Sequence, residues 1–106
     1  MPKFLLEARY STEGIRGVSD QGGTRRREAI ERLFEAHDGK LEGFYFAFGE
    51  TDVYAFGDLP DNETASAIAL AINRDGRTQV RTVVLLTPEE VDTAAHIAVN
   101  YIAPGA

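Results

Sequence analysis

Between Lys40 and Asp58 the chain reads KLEGFYFAFGETDVYAFGD, two strand-like runs joined by a Gly49-Glu50-Thr51-Asp52 turn. Successive side chains of a strand point to opposite sides. Leu41, Gly43, Tyr45 and Ala47 are therefore predicted to share one side, and Glu42, Phe44, Phe46 and Phe48 the other. Both sides are apolar or aromatic, so neither suits open water. Helices of the same chain can cover one side. A second copy of the protein is the expected cover for the other.

Size limits what else the chain can supply. Its 106 residues, 43% hydrophobic and 26% charged, suit one globular domain spanning 1–106. A chain this short buries roughly two thirds of its surface on folding, so oligomerisation would help stabilise it. The net charge of −6 and a pI near 4.8 oppose attraction to nucleic acid or anionic lipid. Arg25, Arg26 and Arg27 form a basic run, but Glu28, Glu31 and Glu35 follow closely. That pattern reads as a solvated helix face or an intersubunit salt-bridge site.

The absence of cysteine removes disulfides, thiol nucleophiles and Cys-ligated metals. The opening Met-Pro-Lys-Phe-Leu-Leu lacks the pattern of a secretory signal. No apolar run approaches the roughly 20 residues a membrane span requires. The expectation is a soluble, cytoplasmic protein with neither nucleic acid nor membrane as partner.

Phe4 to Tyr10 alternates as a strand, and the Gly- and Ser-rich STEGIRGVSDQGG after it reads as a loop. Thr24 is placed to cap a helix carrying Ile30, Leu33, Phe34 and His37 on one stripe, with Gly39 as its left-handed stop. After the hairpin, Asp61 or Asn62 caps a second helix ending at Gly76. That helix is apolar nearly all round, which predicts burial on more than one side. Gln79 to Leu86 is a β-branched strand. Thr87-Pro88-Glu89-Glu90 is a capping box that opens a third helix.

The order β-α-β-β-α-β plus a C-terminal helix is the ferredoxin-like α+β arrangement, with an antiparallel sheet in order 4-1-3-2. One face then carries Phe4, Leu6, Ala8, Leu41, Gly43, Val53, Ala55 and Val80. The other carries Leu5, Glu7, Arg9, Glu42, Phe44, Phe46, Tyr54, Phe56 and Arg81. A greasy face of that size calls for an interface or a pocket, and two such sheets facing one another make a dimeric α/β barrel.

Charges set among apolar groups must pair or reach water. Glu7 and Arg9 are expected beside Arg81. Within such a face Glu7 or Glu42 could act as a general base, Arg81 could hold an anionic oxygen, and His96 could reach the barrel mouth. Arg9, Phe44, Phe46, Tyr54, Phe56 and Arg81 would line a ligand cavity. His37 falls at a helix C-terminus, where a cation meets the dipole favourably. Neither histidine lies in a metal-binding spacing, and no glycine-rich phosphate loop or nucleophile elbow is present, so neither metal nor cofactor is expected.

The opening MPKFLLEARYSTEG, the Gly22-Gly23-Thr24-Arg25-Arg26 helix start, KLEGFYFAFGETDVYAFGDLPD, and VLLTPEEVD with its Tyr101-Ile102-Ala103-Pro104 tail together resemble the GYD domain family over nearly the whole length. The motif that names the family aligns with Gly49 to Asp52, with Thr51 in the tyrosine slot, so a role for that phenol is either absent or moved to Tyr45 or Tyr54. The resemblance implies a dimeric α/β barrel. Related barrels include cofactor-independent monooxygenases, haem-handling enzymes and small-ligand sensors. The function expected is binding of a small apolar or aromatic molecule in a homodimer. A cofactor-independent oxygenase or isomerase in the same cavity, and a purely structural oligomer, are the alternatives.

Overall fold

A computed structural model describes residues 1–106. The elements are β1 (Lys3–Tyr10), α1 (Thr12–Gln21), α2 (Gly23–Ala36), β2 (Lys40–Phe46), β3 (Val53–Asp58), α3 (Asn62–Asp75), β4 (Thr78–Leu85) and α4 (Pro88–Ala95). The fold is α+β. The four strands form one antiparallel sheet in order β2-β3-β1-β4, the order expected. α2 and α3 cover one face of it, and Phe4, Phe34 and Leu59 are its largest fully buried side chains.

The segment expected to be a loop is the helix α1. Ser11 caps it by accepting the Gly14 N–H at 3.1 Å, and Glu13 complements the positive end of the dipole. Gly14 made the segment look loop-like. Here it serves a close approach, since a β-carbon at this position would collide with the Arg77 carbonyl.

Helix ends decide other details. α2 starts at Gly23 behind Gly22, without a side-chain cap, so Thr24 lies inside the helix. At its other end Asp38, φ 61°, takes the left-handed position expected of Gly39, while the Gly39 N–H donates to the Phe34 carbonyl at 2.8 Å. α3 behaves as read, with the Asp61 carboxylate accepting the Thr64 N–H at 2.8 Å and Gly76 left-handed at φ 86°. Its expected burial on several sides is not found. Ala65 and Ile68 are buried, whereas Leu70 is 70% exposed.

α4 has the full capping box and Pro88 in its first turn, yet it buries nothing. Every residue from Leu86 to Ala106 is exposed, among them Val91, Ile97, Val99, Tyr101 and Ile102. This C-terminal arm leaves the body at the end of edge strand β4. No helix is long and apolar enough to cross a membrane.

A bulge in β2 changes which residues share a face. Leu41 pairs with Gly57, but the next partners are Gly43 with Phe56, Phe44 with Ala55, Tyr45 with Tyr54 and Phe46 with Val53. One extra residue shifts the period-2 alternation by one, so every side chain beyond it changes side. Phe44 and Phe46 therefore face the helices, and Tyr45 faces the open side.

Candidate functional site

The uncovered face of the sheet is built from alternate residues of all four strands. Leu5, Val83 and Leu85 are half-buried there, and Tyr45 and Phe56 stack with ring centroids 6.4 Å apart at 15°. Tyr45 lies opposite Tyr54 across the ladder, and the two are 65% and 38% exposed. Tyr54 and Phe56 are thus where the sequence reading put them. Phe44 and Phe46 are not. They pack edge to face with each other at 5.4 Å, Phe44 against the core and Phe46 beside Gly23. The signal for this was Gly43, since glycine inside a strand often marks a bulge.

The charges on this face form two separate groups. Glu7 and Arg81 are opposite one another and pair at 3.6 Å. With Arg9, Glu50, Thr51 and Gln79 they line a cleft of about 230 Å³. At the other end of β1, Lys3 bonds Asp58 at 3.0 Å and also Glu42. Lys3 and Glu7 are four residues apart on one strand, about 13 Å. Glu42 is therefore not a neighbour of Glu7 or Arg81, and Arg9 lies opposite Gln79 on the exposed edge of the cleft.

His96 caps α4, its Nδ1 2.7 Å from the Asp92 carbonyl oxygen, and belongs to the exposed arm rather than to the cleft. His37 caps α2, as expected. Asp52 ties the hairpin to β1. Its carboxylate accepts the Tyr10 N–H at 2.9 Å, and its own N–H donates to Ala8 at 2.8 Å.

A second concavity lies on the helix side and was not evident in the sequence. Leu6, Ala8, Ile30, Phe44, Ile72 and Val80 line a partly open apolar cavity of about 30 Å³ whose wall includes Tyr10, Arg26 and Thr78. The same three residues border an open polar cleft of about 200 Å³ next to α1. Burial raises the Tyr10 pKa, opposed by the adjacent Arg26 guanidinium and reinforced by Asp52. Arg26 belongs to a run of three arginines, and composition alone could not show that only the middle one turns toward the sheet. The structure contains no cluster of three or more His, Asp or Glu side chains arranged to hold a metal.

The GYD domain model matches residues 4–95, and the chain belongs to that family. No curated protein and no solved structure matches it.

Proposed function

We propose that this GYD-family chain is a ferredoxin-like subunit that pairs through its open sheet face into a dimeric α/β barrel and binds a small apolar or aromatic molecule between the sheets. The observation that carries this is the aromatic strip of Tyr45, Tyr54 and Phe56, uncovered although it lies on a well-formed sheet. Soluble proteins rarely leave such a strip to water. Tyr54 and Phe56 offer a ligand ring faces, Tyr45 takes the place first given to Phe44 and Phe46, and Arg9 and Arg81 in the adjoining cleft orient its polar end. The arm from Leu86 onward adds a second apolar surface for the partner subunit. The homodimer acts in the cytoplasm without nucleic acid.

Binding is favoured over turnover by the state of the carboxylates. Glu7 is held by Arg81, and Glu42 by Lys3. With both carboxylates engaged in ion pairs, neither is free to approach a substrate proton without giving up its partner. Native mass spectrometry on freshly purified protein tests the proposal. A dimer, or a multiple of it, with additional mass lost on denaturation is the expected result. A monomer at micromolar concentration overturns the barrel, and a dimer of bare chain mass removes the tightly held ligand.

A further inference from the structure

On the opposite side of the sheet from that proposed interface, Arg26 occupies an unusual position. It is half-buried at the junction of the 30 Å³ apolar cavity and the 200 Å³ polar cleft. No carboxylate lies within 4 Å of it, and whereas the other unpaired arginines, Arg9, Arg16, Arg25 and Arg74, are exposed to water, Arg26 is half-buried. This occurs in a chain with 17 acidic and 11 basic residues. Acids do line the cleft, but they are already engaged, since Arg77 draws Glu13 to 3.2 Å and Asp75 to 3.9 Å. The cleft therefore contains one guanidinium without a counter-ion. Tyr10 stands beside it, and its burial favours the neutral phenol, which retains a hydrogen to donate.

We propose that each protomer carries its own site for a short aliphatic carboxylate, with the carboxylate on Arg26 and the Tyr10 hydroxyl and the hydrocarbon chain in the apolar cavity behind them. A planar guanidinium suits a carboxylate, which it can bind through two parallel hydrogen bonds. Cavity size sets the chain length. A space of about 30 Å³ holds about two waters' worth of atoms, hence the last two carbons of a short chain and not a ring. Charge sets the valence. Asp52, Glu13 and Asp75 border the same region and oppose a dianion, while Arg26 opposes an amine. The site lies within one protomer, so it stands or falls independently of the dimer.

Calorimetry and saturation-transfer NMR on the full chain, with sodium butyrate as probe and acetate and butylammonium as controls, test this site. Butyrate is expected to bind more tightly than acetate, and butylammonium not at all. Arg26→Gln should weaken butyrate about tenfold or more, the usual scale for losing a charged hydrogen-bond partner. Arg26→Lys should recover part of that loss. Ile72→Phe, which fills the cavity, should reduce butyrate to the level of acetate while leaving acetate unchanged. With tyrosine labelled at the ring carbon bearing the hydroxyl, butyrate should move the Tyr10 titration further upward, because the bound anion cancels the influence of Arg26. No butyrate binding at millimolar concentration, equal binding by Arg26→Gln, or equal binding of butylammonium overturns the site. If Arg26→Gln fails to fold, Arg26→Lys and Tyr10→Phe decide by the same criterion.

Discussion

The same four strands present two faces of different make-up and different fate, the helix side free of charged residues and the open side setting Tyr45, Tyr54 and Phe56 among Lys3, Glu7, Arg9, Asp58 and Arg81. On the helix side Phe4, Leu6, Val53 and Ala55 are each at most 6% exposed. On the other side Tyr54, the residue between Val53 and Ala55, and Tyr45, opposite it on β2, remain 38% and 65% exposed. The difference is made by α2 and α3, whose apolar stripes fit one face and leave the other unmatched. The covered face stabilises the protomer, and the open face is available for association. Mutations on the two sides should therefore produce effects of different kinds.

The largest effect is expected on the covered side. Phe34 is fully buried, and Phe34→Ala should cost about 3–5 kcal/mol through lost burial and the cavity left behind, read as a fall in the urea midpoint at any protein concentration. Tyr54→Glu should do the reverse. A charge in the middle of the aromatic strip should weaken association by about 2 kcal/mol or more, as at a central interface position, with the urea midpoint of dilute protein nearly unchanged. A large loss of dilute-state stability in Tyr54→Glu would show that the open face belongs to the protomer's own core, and the comparison would collapse.

The bulge in β2 sharpens the contrast. A β-carbon at Gly43 would collide with the Phe56 ring, which stacks on Tyr45. Gly43→Ala should cost about 1–3 kcal/mol, the scale of overpacking, and should disturb both faces because the bulge sets the register of Phe44 and Tyr45 together. Equilibrium unfolding at two protein concentrations separates the two contributions. If only the dilute-state midpoint moves, the bulge serves the covered face alone.

How much of this was legible in the sequence varies with the signal. The strand order, α3 with its Asp61 and Gly76 ends, and the Thr87 capping box were legible because each rests on local chemistry that the tertiary structure did not override. α1 was not, because Gly14 and Gly17 reduce helix propensity and the purpose of Gly14, close approach to the Arg77 carbonyl, lies in the distant turn before β4. The face assignment failed at one residue. Gly43 gave a warning of a bulge, but its effect on Phe44, Phe46 and Tyr45 depends on pairing with β3. Glu7 and Arg81 were correctly placed as neighbours, since both follow from unbroken alternation. Arg26 was invisible, because a run of three like residues does not say which one faces inward.

The smallest expected effect lies in the Glu7 and Arg81 pair, and it distinguishes a structural charge from a ligand-holding one. Arg81 is largely exposed and meets Glu7 at 3.6 Å, a geometry whose value in water is about 0–1 kcal/mol. In the isolated protomer, Arg81→Gln should therefore barely move the urea midpoint. In a barrel, however, the second sheet would exclude water from the 230 Å³ cleft and lower the dielectric around the pair. Glu7, left without its partner there, should then cost more than in the protomer. A concentration-dependent melt of Arg81→Gln beside the native chain reads the difference. Equal shifts at all concentrations would mean that the cleft stays wet and that the open face closes elsewhere, at Tyr45 and Tyr54 alone.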